Sequence, residues 1–319
     1  MIPDRPLRSA TAFAPASIGN VAAGFDVLGH AMDAVGDLVT VTRSVERGVR
    51  IVSVDGIVGD LPGDPAANTA TAGLLRMVDD LELSFGFEVA IRKGIPLGSG
   101  MGGSASSAVA GVVAASAVLD VPLSVDEQFT YAMVGEAVAS GAMHGDNVAP
   151  ILLGGLRLVR AIDPPDIVRV PVPAGIRCVL VHPMLRLDTR TARAVLPRQI
   201  PLSLHVRQSA ELAGLVAGCF AGDVALIGRA LADHVVEPAR APLVPGFHAV
   251  QAAARGAGAL GCSLSGAGPS LFAWCDGDAM AAAVRAAMTA AFRAAGVESE
   301  AWISPVDCPG ARIVETISG

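Results

Sequence analysis

The densest run of chemistry-capable residues is Pro96-Leu97-Gly98-Ser99-Gly100-Met101-Gly102-Gly103-Ser104-Ala105-Ser106-Ser107. Phe85, Phe87, Val89 and Ile91 recur at every second position just before it, which predicts a strand. The Ala/Val-rich run from about Ser104 to Leu119 predicts a helix after it. A glycine-dense loop entering a helix brings backbone N–H groups close to an anion. The Gly-Lys-Ser/Thr ending of the common nucleoside-triphosphate loop is missing. Lys93 is the only lysine in the chain, and it precedes the loop. Phosphates held here must be neutralised by N–H groups, the helix N-terminus, arginine or a metal. The bland alternative is a tight turn that packs a helix on a sheet, which rarely needs so many glycines and serines.

Glu136 shares a helical face with Phe129, Ala132 and Met133, downstream of the capping box Ser124-Val125-Asp126-Glu127. A carboxylate on such a face is costly to bury unpaired. It is either a rim residue paired with an arginine or a ligand for a hard divalent cation beside phosphates. In the second case Ser104 could supply a hydroxyl oxygen. His144, Asp146 and Asn147 follow in the polar loop Ser140–Asn147. No HExxH or His/Cys set exists, so zinc is disfavoured. Asn20 and Asp26 sit among glycines, as a ligand-facing turn or an Asx-type turn closing an N-terminal hairpin. Arg186, Arg190, Arg193, Arg229 and Arg240 form two loose groups. Most arginines on an acidic protein lie at the surface, but one or two could clamp a carboxylate bidentately.

The elements that position these residues alternate. Strands are expected at Val39–Val41, Val49–Val54, Arg177–His182, Leu260–Leu264, Leu271–Cys275, Glu300–Ile303 and Arg312–Ile317. Helices are expected at Thr69–Leu81, Leu202–Phe220, Val224–Val235, Phe247–Gly256 and Ala279–Ala295. Ile151–Val159 reads as a hairpin about Gly154-Gly155. Asp163-Pro164-Pro165-Asp166 is the clearest break, within 160–175, and divides the chain into domains 1–165 and 166–319. With 319 residues, 52% hydrophobic, two cores are more in keeping than one. A net charge of -7 argues against nucleic acid and anionic membranes, while permitting a local basic pocket. Cys178, Cys219, Cys262, Cys275 and Cys308 form no CxxC pair, which suits reduced thiols. No signal-peptide core and no continuous apolar span of about twenty residues exist, so a cytoplasmic protein is expected.

The glycine loop, the N-terminal segment and Ser265–Ser270 together resemble the GHMP family, the kinases of galactose, homoserine, mevalonate and phosphomevalonate. Pro15-Ala16-Ser17 with Asn20 and Gly24–Gly29, His144-Gly145-Asp146-Asn147, and Glu237-Pro238-Ala239-Arg240 are most similar to its homoserine-phosphorylating members. The resemblance implies a two-domain α+β fold. Its N-terminal domain is a ribosomal-protein-like βαβ unit, its C-terminal domain is ferredoxin-like, and the active site lies between them. It implies ATP held by Pro96, Leu97, Gly98, Ser99, Gly100, Met101, Gly102, Gly103, Ser104, Ala105 and Ser106. Mg2+ falls on Ser104 and Glu136, which with Asp26 are the implied catalytic residues. L-homoserine falls on Asn20, Asp26, His144, Asn147, Arg193 and Arg240. The two arginines hold its carboxylate, and Asp26 meets its hydroxyl. Ser265–Ser270 is implied to brace the phosphate loop, and a homodimer is a possible assembly. Gly103 stands where the family commonly has the first of two serines. A kinase of another small alcohol and a non-catalytic nucleotide-binding regulator remain as alternatives. Retention of Asp26, Ser104, Glu136, Asn147 and Arg240 speaks against the regulator.

Overall fold

The computed structural model describes residues 7–58, 61–140 and 144–318, without the side chain of Ser140. The first sheet starts from a long antiparallel hairpin, β1 (Leu7–Gly19) and β2 (Leu28–Ser44). β3 (Gly48–Gly56), helix α1 (Thr69–Asp80) and β4 (Gly86–Lys93) form a βαβ unit whose two strands are parallel neighbours. β4 pairs with the far half of β2, and β5 (Leu156–Ala161) with its first residues; β6 (Asp166–Val170) extends β5. Three helices, α2 (Gly103–Val118), α3 (Val125–Ser140) and α4 (Gly145–Leu153), complete this half. Ala10, Ala12 and Ala14 are buried along one face of β1, where α2 packs on the strand. Small side chains there let the helix approach, and α2 is itself buried on nearly every side. That fixes its N-terminus.

The second sheet has the order β10-β7-β9-β8 and is antiparallel throughout its described pairs. Its strands are β7 (Ile176–Pro183), β8 (Gly261–Leu264), β9 (Leu271–Asp276) and β10 (Ser299–Pro305). Between β7 and β8 run α5 (Thr189–Ala194), α6 (Leu202–Ala221), α7 (Val224–Ala230), α8 (Val236–Arg240) and α9 (Phe247–Gly256). Helix α10 (Asp278–Ala294) joins β9 to β10. Counted within this half, the strand order is 4-1-3-2, that of the ferredoxin-like fold. The last strand, β11 (Arg312–Ser318), returns to the first sheet and pairs with β1. Cores lie between the first sheet and α1–α4, between the two halves, and between the second sheet and α9–α10. Trp274 Nε1 of β9 donates to His30 Nε2 of β2 at 3.1 Å, tying the halves together through a buried bond.

Three expectations need correction. β6 and β11 belong to the first sheet, so a division into 1–165 and 166–319 does not follow the two sheets. Ile151–Val159 is not a hairpin: α4 runs through Leu153, and Gly154 and Gly155 end it at positive φ. A Cβ on Gly154 would lie 2.5 Å from the Cys308 carbonyl, so only glycine serves there. The helix expected over Val224–Val235 breaks at Ala230 because Asp233 begins a new one. Its carboxylate accepts the N–H groups of Val235, Val236 and Glu237 at 2.8–2.9 Å. The strand β1 is legible only through the turn that closes the N-terminal hairpin, since alanines carry little strand preference. Among the described residues no helix is long and apolar enough to cross a membrane.

Candidate active site

Gly98, Gly100 and Gly102 all adopt left-handed φ values of 61–74°, so the chain from Pro96 to Gly102 turns tightly around its own amides. Gly102 is the N-cap of α2, and no side chain caps that helix. The first N–H groups of α2 are therefore left for a ligand. One buried carboxylate fixes both ends of this loop. Asp37 accepts the N–H groups of Gly94 and Ile95 at 2.9 and 3.1 Å, the Ser107 hydroxyl at 2.7 Å, and the Lys93 ammonium. Lys93 Nζ also donates to the Gly103 carbonyl and to Ser107 Oγ, both at 2.9 Å. The second half braces the loop from outside. Ser265 Oγ donates to the Gly100 carbonyl at 2.7 Å, and Ser270 Oγ to that of Ser99 at 2.6 Å.

A cavity of about 430 Å³ lies against this loop. Pro96 to Gly100 and Gly102 to Ser104 line it; Met101, Ala105 and Ser106 do not. Met101 and Ala105 are buried in the cores, and Ser106 Oγ donates to the Ala14 carbonyl at 2.8 Å. Asn20, Asp26, Glu136, His144, Asn147, Arg193 and Arg240, read from distant parts of the sequence, all reach the cavity.

The turn after β1 explains the first two. Asn20, Val21, Ala22 and Asp26 all have positive φ, a strained arrangement for residues with a Cβ. Asn20 Oδ1 accepts the Asp26 N–H at 3.1 Å, and Asn20 Nδ2 donates to the Gly266 carbonyl at 2.9 Å. The turn is thus both an Asx closure and a cavity wall. Arg193 Nη2 donates to Asp26 Oδ1 and Oδ2 at 3.0 and 2.9 Å and to His144 Nε2 at 2.9 Å. With Nε2 accepting, Nδ1 of His144 carries the proton and faces Glu136 Oε1 at 3.3 Å. That contact raises the histidine's proton affinity, against the opposing effect of burial. Arg240 is buried and donates from Nε to the Ala192 carbonyl and from Nη1 to that of Gly266, both at 3.0 Å. Phe25 lies against both guanidiniums, each 5.4 Å from its ring centroid, and sets the two side by side. Arg193 Nε is buried with no hydrogen-bond partner among the described residues.

Asp146 sits beneath this cluster. Its Oδ2 accepts the Asn20 N–H, and its Oδ1 accepts from Asn147 Nδ2, both at 3.2 Å. Burial, reinforced by the nearby Asp26 charge, pushes its carboxyl up to about 7. The 140–147 loop pointed to it as part of a polar run but gave no reason to prefer it. Gly141, Ala142 and Met143 of that run lie outside the described residues. Leu61, Pro62, Ala67, Val138 and Ala139 give the cavity an apolar stretch of lining that nothing in the sequence marks. Asn68 stands there, its Oδ1 capping α1 at Ala70 N–H and its Nδ2 on the Pro62 carbonyl. Among the described residues no three His, Cys, Asp or Glu side chains gather as a metal site. Ser104 and Glu136 do both face the cavity, two oxygen donors of the kind magnesium accepts when phosphates and water complete its shell.

Comparison with known proteins agrees with this geometry. The model of the GHMP kinases N terminal domain matches residues 68–155, and that of the GHMP kinases C terminal matches 215–294. The homoserine kinase of Xylella fastidiosa (strain 9a5c) is 52% identical over 305 residues, 96% of this chain and 94% of its own. That of Chlorobaculum tepidum is 43% identical over 324 residues, 98% of this chain and all of its own length (100%). The crystal structure of homoserine kinase from Cytophaga hutchinsonii superposes with a TM-score of 0.93 at 45% identity, over 96% of this chain and 98% of that one. L. major mevalonate kinase shares the fold alone, with a TM-score of 0.67 at 16% identity over 92% and 95%. Likeness of this degree over nearly the whole length places the chain in the GHMP kinase family, among its homoserine kinases.

Proposed function

We propose that this protein transfers the γ-phosphoryl group of ATP to the side-chain hydroxyl of L-homoserine, giving O-phospho-L-homoserine and ADP. The observation that carries this is the pair of arginines facing the phosphate loop across one cavity, with the Nε–H of Arg193 buried and without a partner among the described residues. A buried donor left unsatisfied costs about 1–3 kcal/mol. A carboxylate oxygen placed between Arg193 and Arg240 removes that cost and receives a charged fork.

The chain's residues divide the work as follows. The uncapped amides of α2 and the loop hold the triphosphate, while the apolar lining at Leu61, Pro62 and Val138 takes the base. Ser104 and Glu136 hold magnesium, which shields the phosphate charge when bound. Asp146, Asn147 and Glu136 face the substrate ammonium. Arg193 releases Asp26 as it turns to the substrate carboxylate, and Asp26 then accepts a hydrogen bond from the homoserine hydroxyl. The hydroxyl oxygen forms a bond to the γ-phosphorus as the bond to the β,γ-bridging oxygen breaks. ADP leaves with that electron pair, and the hydroxyl proton passes late to Asp26 or to the transferred phosphoryl group. Such a transfer needs chiefly alignment and charge stabilisation.

The test is ADP release with homoserine, mevalonate and galactose offered in turn. Homoserine is expected to be preferred by orders of magnitude in kcat/KM. Preference for an acceptor without the amino-acid head group overturns the assignment. Equal, negligible release with all three favours the binding regulator.

A further inference from the structure

Among the described residues, five side chains of lysine or arginine line the cavity: Lys93, Arg186, Arg190, Arg193 and Arg240. Three are engaged. Lys93 is buried against Asp37, Arg193 spans Asp26 and His144, and Arg240 is held by two carbonyls. For the guanidiniums of Arg186 and Arg190 no hydrogen bond or ion pair is made among the described residues, and both residues are exposed. Their segment is docked on the phosphate loop. Leu187 N–H donates to the Gly98 carbonyl at 2.9 Å, and a Cβ on Gly98 would come within 2.6 Å of Arg186 Cγ. The neighbouring acid, Asp188, caps α5 by accepting the Arg190 N–H at 2.7 Å.

The charge balance demands such groups. ATP carries several negative charges, the loop amides supply only partial positive ones, and one divalent cation leaves a surplus. The lysine that serves this purpose in common phosphate loops is here committed below the loop. We propose that Arg186 and Arg190 are the cationic clamp of the triphosphate, binding its terminal phosphate oxygens and taking up charge as ADP departs. The clamp rests on ATP being the phosphoryl donor, so binding rather than turnover is the decisive measurement.

Arg186→Met, Arg190→Met and the double variant are titrated calorimetrically with ATP, ADP and AMP, without homoserine. Both side chains are exposed, so unchanged thermal melting is the control for folding. Each single variant is expected to lose about tenfold or more in ATP affinity, the scale of one charge-assisted contact. AMP affinity should stay within about twofold, since AMP lacks the contacted phosphates. Arg190→Lys should recover part of the loss by restoring the charge. The slope of ATP affinity against salt should also flatten in the double variant. Unchanged ATP binding overturns the clamp, as does an equal loss for ATP and AMP. A raised homoserine KM with ATP binding intact would assign these arginines to the acceptor instead. Failure of the wild-type protein to bind ATP would sink the functional assignment itself, whereas ATP binding without homoserine turnover would leave the clamp standing.

Discussion

Lys93 and Asp37 form an ion pair beneath the phosphate loop, their side chains 3% and 0% exposed. The chain's single lysine thus holds the loop in shape and does not serve as a free phosphate cation. Removing one member of a buried pair strands the other, at a cost of about 3–5 kcal/mol. Lys93→Met is therefore expected to lower stability strongly in denaturant titrations. The ATP affinity of the folded fraction should fall only about a few-fold, because the amide cradle remains. Adding Asp37→Leu to Lys93→Met should not restore stability, because the Gly94 and Ile95 N–H groups and the Ser107 hydroxyl then lose their acceptor.

Asp26 is expected to orient the acceptor hydroxyl rather than to deprotonate it early. Asp26→Asn keeps one oxygen acceptor and the shape. It should outpace Asp26→Ala by at least about tenfold in kcat, or about 1.4 kcal/mol in the barrier. If both variants are equally inactive while still binding homoserine, the charge itself is required.

Arg193→Lys and Arg240→Lys should each raise the homoserine KM by about tenfold or more, since an ammonium cannot reproduce the bidentate fork. The ATP KM should hardly move. An acceptor analogue without the carboxylate should bind variants and wild type alike, and equal losses for both acceptors would place these arginines elsewhere.

Ser104→Ala and Glu136→Gln remove oxygen donors suited to a hard cation. Both are expected to raise the magnesium concentration needed for half-maximal turnover, with ligand-free melting little changed for Ser104→Ala. Normal magnesium dependence in Glu136→Gln would assign that residue a structural role, such as its contact with His144, in place of a metal ligand.

Asp146 gives the protein a pH signature. Its carboxyl is raised from 3.8 to about 7 in the folded state, mainly by burial. Below the unfolded value both states are protonated, and the residue contributes no pH dependence. Between the two values the folded state holds a proton the unfolded state has lost, so stability falls as pH rises, and it levels off above the folded value. Asp146→Asn should remove this component. The variant's stability relative to wild type, measured by denaturant titration, should climb from pH 4 to 7 and then stay flat.

Much of this site is legible in the sequence where composition forces geometry. Gly98, Gly100 and Gly102 can only belong to a tight turn, and the small-residue helix after them can only be buried. Asp26, Glu136, His144 and Arg240 each stand out by residue type and setting, but only motif resemblance joins them into one site, because nothing in their own neighbourhoods announces that they meet. Asp37 escaped notice because a lone acid in a strand looks solvated until the fold brings Lys93 to it. Asn68 and the apolar lining of the cavity are illegible for a similar reason: ordinary side chains carry no signal until the fold gathers them around a cavity. The α7–α8 break hinged on Asp233 accepting three amides, which a helical pattern of apolar residues overrides on paper.

The pairing of β11 with β1 sets a constraint on how the molecule assembles. Leu7 is matched with Ser318, and Phe13 with Arg312, so this ladder joins residues about three hundred positions apart. During synthesis β1 and β2 emerge well before β11, so the outer edge of β1 stays open until β11 is made. An unpaired edge strand is a template for association with other chains, and long-range pairing of this kind forms slowly. The seven residues of β11 therefore close an edge of β1 that would otherwise stay open to association with other chains.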